Sequence, residues 1–175
     1  MHVNWDTVAT AGATAMFVTL VIEYLAKPRL EARKERILSH FRDRRDLGVL
    51  VTKISLAARR FTEPMPDDVE PKLRETWNRE RDRQFTLMRE LVLKLSDDVD
   101  RYARVYRNPV RELLIKYAFT LHGVVMSLRS RHRQAEIVGD LGVPMAIVID
   151  ANLRRPLDFQ KAVEQVRELV AATQA

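Results

Sequence analysis

Residues 1–36 read MHVNWDTVATAGATAMFVTLVIEYLAKPRLEARKER, and residues 7–22, between Asp6 and Glu23, carry no charge. A helix that crosses the hydrocarbon core needs roughly 20 mainly apolar residues, because the core is about 30 Å thick and each residue adds about 1.5 Å. Trp5 and Tyr24 would stand about 28 Å apart along such a helix, at the two interfaces where amphipathic rings collect. Glu23 is costly in hydrocarbon, but one place from Tyr24 it reaches the headgroup layer. Lys27, Arg29, Arg33, Lys34 and Arg36 follow at once, whereas the N-terminal flank offers only the terminal amine, His2 and Asp6. By the positive-inside rule the N-terminus is expected outside and the chain beyond Ala26 in the cytoplasm. The segment therefore predicts a single-pass anchor in the plasma membrane over residues 1–26.

Two rivals compete for these residues. A cleaved secretory signal normally opens with Lys or Arg, and its small-residue cleavage site follows the apolar core. Here the Ala-Gly-Ala and Ala-Thr-Ala sites precede residues 16–22, the most apolar part, which is the wrong order. A buried core helix is the other rival, since the Ala/Thr/Gly-rich first half is only weakly hydrophobic. That half has a second reading. Ala9 and Ala13, and Ala11 and Ala15, are each four residues apart, so small side chains would let another helix approach closely and self-associate in the membrane.

The distribution of charge extends the argument beyond the anchor. The net charge is +6, yet residues 62–175 are nearly balanced, with nineteen Lys/Arg against eighteen Asp/Glu. Residues 26–61 carry eleven Lys/Arg against four acids, so the excess lies directly after the apolar run. Pro28 predicts a break or bend there. Glu31 and Glu35, interleaved with basic residues, support a solvated helix over residues 27–46, interrupted only by Leu30, Ile37, Leu38 and Phe41. Each Lys or Arg close to an anionic leaflet contributes on the order of 1 kcal/mol. Lys27, Arg29, Arg33, Lys34 and Arg36 are thus candidates for lipid-headgroup contact, with Trp5 and Tyr24 as interface anchors.

The run from Ile22 to Ile37, IEYLAKPRLEARKERI, resembles the juxtamembrane segment of small, uncharacterised membrane-anchored proteins of actinobacteria. The resemblance covers under a quarter of the chain. It implies a bacterial plasma-membrane setting and no activity.

Residues 47–175 read as an antiparallel cytoplasmic helical bundle, which makes the fold class all-α. Five glycines, few aromatic residues and long stretches without Gly or Pro favour helices over sheet. Leu47, Leu50, Val51, Ile54, Ala57, Ala58 and Phe61 recur at helical steps and form the inward stripe of a first bundle helix. A second helix is predicted over residues 69–105, with Leu73, Trp77, Gln84, Leu87, Met88, Leu91, Leu95, Val99 and Tyr102 on one side. Asn108 is the expected N-cap of a third, with Pro109 at its first position. Its apolar stretch, residues 113–128, contains Lys116 and His122, so a helix buried in the bundle is preferred to a second span, and Gly123 is expected to admit a close neighbour. Residues 139–144 predict a break, and residues 145–149 a short helix or apolar connector, with a strand as the alternative. A last helix from about residue 156 to 173 presents Phe159, Val163, Val166 and Val170.

Chemistry is sparse. Without Cys there are no disulfides, thiolate metal sites or Cys nucleophiles. His2, His40, His122 and His132 show no metal-ligand spacing, and there is no phosphate loop, dinucleotide fingerprint or nucleophile elbow. Asp97, Asp98 and Asp100 form an acidic cluster of the kind that takes a hard cation, but Arg101 and Arg104 are expected to pair with them. The basic run 129–133 lacks the aromatic interleaving of a nucleic-acid surface, so nucleic acid is not an expected partner. No cofactor or metal is expected. The reading is a non-catalytic, membrane-tethered scaffold, adaptor or regulatory subunit, with the bilayer and its anionic headgroups, an unidentified cytoplasmic protein and a second copy as partners. The alternative is a soluble basic bundle with a buried first helix that binds protein or nucleic acid.

Overall fold

Helix α1 (Lys27–Thr62) runs on from the turn before it, whereas proline opens three of the others, because its missing N–H lies in a first turn where no intrahelical acceptor exists. Pro71 does so in α2 (Pro71–Asp97), Pro109 in α4 (Asn108–Met126) and Pro156 in α6 (Pro156–Gln174). The single-turn α3 (Val99–Ala103) and the long α5 (Arg131–Asp150) complete six α-helices, and a π-helical turn, Ile22–Ala26, precedes them. The computed structural model describes residues 10, 14–20, 22–65, 70–150 and 156–174. The chain divides into two compact units, Met1–Arg42 and Asp43–Ala175.

The second unit is an all-α bundle with one hydrophobic core. The α4 helix is central to it, packing on α2, α3, α5 and α6, while α5 and α6 pack on each other. Eight of its side chains are buried, Tyr117, Leu114 and Leu121 among them, so one side of α4 lies in the bundle core while Lys116, Phe119, Gly123 and Met126 are exposed. Among the described residues no helix is long and apolar enough to cross a membrane. The expected stripe of the first bundle helix is buried from Leu47 to Phe61. It belongs to the same helix as the basic segment, since nothing between Arg36 and Phe61 other than Gly48 opposes helix.

Several local expectations are corrected. The helix predicted over residues 69–105 turns at Asp98, which caps α2 with φ −94° and ψ 4°. Leu95, Val99 and Tyr102 stay on the buried side across the turn, so periodicity alone could not reveal it. Leu73 and Leu87 are exposed, and Phe85 and Val92 fill the core in their place. The cap of α4 is Arg107, in extended backbone with no side-chain cap bond, and Asn108 is already helical. The break predicted at residues 139–144 does not occur, and residues 145–149 are the last turns of α5 rather than a connector or strand. Pro144 removes one helical hydrogen bond, at a cost of about 3 kcal/mol, and each glycine costs about 1 kcal/mol. Burying Val138, Leu141, Met145, Val148 and Ile149 outweighs this, at about 1.5–3 kcal/mol for each fully buried aliphatic side chain.

Polar groups close the helix ends. Arg44 donates from two guanidinium nitrogens to the Ile149 carbonyl at 3.0 and 3.3 Å, placing a cation at the negative end of α5. The buried Gln134 amide donates to the Ser127 and Arg129 carbonyls at 2.9 and 3.0 Å, satisfying the turn between α4 and α5.

Gly123 was expected to let a neighbouring helix come close, but it is exposed, and a Cβ there would meet no heavy atom within 4 Å. The close approach is made by Gly142 on α5, against Ser55 of α1. Gly123→Ala should therefore stabilise the bundle by about 0.5–1 kcal/mol, by helix propensity alone. Urea unfolding followed by circular dichroism checks this, and a lowered midpoint would contradict it.

Candidate functional site

The first unit holds the residues singled out in the sequence for membrane contact. Residues 14–20 are helical, and every described side chain among them is exposed. Successive helical residues are 100° apart, so Met16 (73% exposed), Phe17 (68%), Val18 and Leu20 spread apolar surface around the helix rather than along one stripe. The threonines do not interrupt this character. Thr14 Oγ1 donates to the Thr10 carbonyl and Thr19 Oγ1 to the Ala15 carbonyl, each at 2.8 Å, so these hydroxyl protons are satisfied within the helix. Ile22 and Tyr24 continue the exposed apolar surface. Ala15 is exposed on this helix. Trp5, Ala9, Ala11 and Ala13 lie outside the described residues, so of the interface anchors and self-association residues only Tyr24 and Ala15 are placed.

The break expected near Pro28 takes the form of the π-turn Ile22–Ala26. In a regular α-helix the Pro28 ring would clash with the carbonyl of Tyr24 and leave it without a donor. The wider π-turn relieves that clash while the helix continues into α1. Proline thus adjusts the backbone without ending it.

Beyond the turn, Lys27, Arg29, Arg33, Lys34 and Arg36 are all exposed, and none makes an ion pair among the described residues. Their arrangement on α1 is ordered by helical spacing. Leu30, Ile37 and Phe41, seven and four residues apart, form one apolar stripe, with Leu38 at its side and Lys27 and Lys34 close to its line. Arg29, Arg33 and Arg36 share the adjoining flank. Leu30 is 63% and Phe41 66% exposed. Taken one by one these apolar residues interrupt a charged helix, but their seven-and-four spacing carries the signal of a stripe. The result is a basic amphipathic helix directly after an apolar one, the pattern that lies at a membrane interface.

The other clusters are occupied by structural contacts. Arg101 does not pair with its neighbours Asp97 and Asp100. It reaches α1, where Nε donates to Asp43 Oδ1 at 2.8 Å and the guanidinium stands 3.9 Å from Asp46. No group of three or more His, Asp or Glu side chains able to hold a metal is found among the described residues. In the basic run, Arg131 pairs with Asp82 at 3.2 Å, Arg133 with Glu136 at 3.1 Å, and Arg129 donates to the Thr173 carbonyl at 3.1 Å. A half-open groove of about 300 Å³ between α4 and α6 is lined by Glu112, Leu113, Lys116, Arg167, Val170 and Gln174, among others.

No protein-family model, curated protein or solved structure matches this chain.

Proposed function

We propose that the protein is a non-catalytic, membrane-tethered scaffold, adaptor or regulatory subunit. The N-terminal segment enters the bilayer with its terminus outside, the basic start of α1 lies among anionic headgroups of the cytoplasmic leaflet, and the bundle is presented to protein partners. The observation that carries this reading is the exposed apolar surface of Met16, Phe17, Val18 and Leu20, followed at once by exposed cations that make no ion pair among the described residues. Apolar side chains so exposed are costly in water, at about 25 cal/mol per Å², and costless in hydrocarbon.

Carbonate-washed fractionation of the full-length chain, beside a chain lacking residues 1–26, tests the proposal. Retention in the membrane pellet is expected for the full-length protein alone, with the bundle open to protease from the cytoplasmic side. Release of both into buffer overturns it. Retention of both would move the attachment away from the apolar segment and overturn the anchor.

A further inference from the structure

On α4 the outward side chains are as informative as the buried ones. Ile115, Phe119, Gly123 and Met126 follow one another at steps of four, four and three along about 16 Å of helix. Phe119 is 62% and Met126 53% exposed, and Leu128 just beyond the helix end is fully exposed. Between Phe119 and Met126 stands Gly123, with open space where its side chain would be. The stripe therefore contains a notch one side chain deep. A lipid surface gains nothing from such a notch, whereas a helix can set a side chain into it.

The charges beside the stripe point to the chemistry of the occupant. Arg111 and Lys116 flank it on α4. Arg89 lies seven residues before Ser96, whose hydroxyl reaches the Ala118 carbonyl at 3.5 Å, so Arg89 stands on the side of α2 turned to α4. None of these three cations makes an ion pair among the described residues, so each is free to meet a partner's carboxylate. Glu112 lowers the local excess without removing it. A second copy presenting the same face would bring like charges together.

We propose that this face of α4 docks an acidic amphipathic helix of another protein, its apolar residues seated along Ile115, Phe119 and Met126, one of them in the Gly123 notch, and its carboxylates facing Arg89, Arg111 and Lys116. The proposal names the partner chemistry of the scaffold reading and rests on it only for the existence of a protein partner.

The test uses the full-length chain, in phosphatidylcholine nanodiscs or in buffer according to the fractionation result. Two fluorescent four-turn helical peptides share a leucine stripe, flanked by Glu in one and by Lys in the other. Micromolar binding of the Glu peptide and not of the Lys peptide is expected. Phe119→Ser with Met126→Ser, or Gly123→Leu, should weaken it by about tenfold or more, and Arg111→Glu with Lys116→Glu should reverse the preference. All these positions except the glycine are exposed side chains, and cooperative urea unfolding of each variant confirms that it folds. Equal binding of both peptides, or of neither, overturns the proposal, as does indifference to the Phe119 and Met126 substitutions. If the same substitutions instead abolish a sedimenting dimer, the occupant is a second copy, and if they abolish binding to phosphatidylserine vesicles, it is lipid. Either result overturns the peptide assignment. A chain that pellets with membranes and ignores both peptides fails here and keeps its anchor, whereas one that binds the Glu peptide but is released by carbonate does the reverse.

Discussion

Gly142→Ala is expected to lower the stability of the bundle by about 1–3 kcal/mol, the usual cost of overpacking a well-filled interior. On an exposed helix the same change would be favourable by about 1 kcal/mol, so the sign itself reports the tertiary contact. A Cβ at residue 142 would stand 2.8 Å from Ser55 Cβ and 3.5 Å from Ser55 Cα. Rotation of the Ser55 hydroxyl can clear one conflict, but Cβ is fixed to the backbone, so α1 and α5 must separate. Separation in turn strips contacts from Val51, Ile54 and Ala58 on α1 and from Val138, Leu141 and Met145 on α5, all buried. A double-mutant cycle isolates the effect. Ser55→Gly removes the conflicting Cβ, and in combination with Gly142→Ala it should recover part of the loss, giving a coupling of about 0.5–3 kcal/mol. Urea midpoints of the four proteins supply the measurement, and strict additivity would show that the two residues do not share this contact. The contrast with Gly123→Ala, which should stabilise, separates a glycine needed for packing from one that only costs helix propensity.

Tyr117→Phe should stabilise the protein by about 1–3 kcal/mol, because the hydroxyl it removes is buried and has no hydrogen-bond partner among the described residues. The ring itself is fully buried and fills the centre of α4, so Tyr117→Ala is expected to cost about 3–5 kcal/mol. Burial also pushes the Tyr117 phenol well above its usual range. The phenols of Tyr102 and Tyr106 are raised as well, by burial first, with Asp98 adding to the shift at Tyr102. The sign of the pH dependence follows from where the proton leaves first. Above about pH 10 the unfolded phenols ionise while the folded ones keep their protons, so stability is intact below that pH and is lost as the pH rises. Each such tyrosine contributes a slope of about 1.4 kcal/mol per pH unit. Alkaline unfolding of the wild type should therefore be steep above pH 10, and Tyr117→Phe should make it shallower by one such increment. An unchanged slope would mean that the phenol reaches water in the folded state.

Helical periodicity made the core legible where one face is consistently apolar. Leu47 through Phe61, Met88 and Leu95, and Val166 and Val170 are buried as their spacing required. The charged flank of residues 27–36 was legible too, because five cations in ten residues cannot be buried without partners. Its apolar stripe was less so, since Leu30, Ile37 and Phe41 stand out only once the helix is taken as continuous through Pro28. The outward stripe of α4 escaped the sequence reading for the opposite reason. In a helix apolar on most sides, spacing alone does not say which of Tyr117 and Phe119 faces the core.

By itself, then, the sequence determined that the chain is all-α, which faces of α1 and α6 carry core residues, and that its excess positive charge follows an uncharged apolar run. These are properties of local spacing and composition, governed by the period of the helix and the solvation of charge. Only the tertiary structure decided that Gly139, Gly142 and Pro144 lie inside a helix, that Gly142 rather than Gly123 makes the close approach, that Asp98 divides α2 from α3, and that Arg101 reaches Asp43 rather than the acids beside it. In each of these the local preference is worth a few kcal/mol at most, and what overrides or redirects it is burial and pairing with residues far away in the chain.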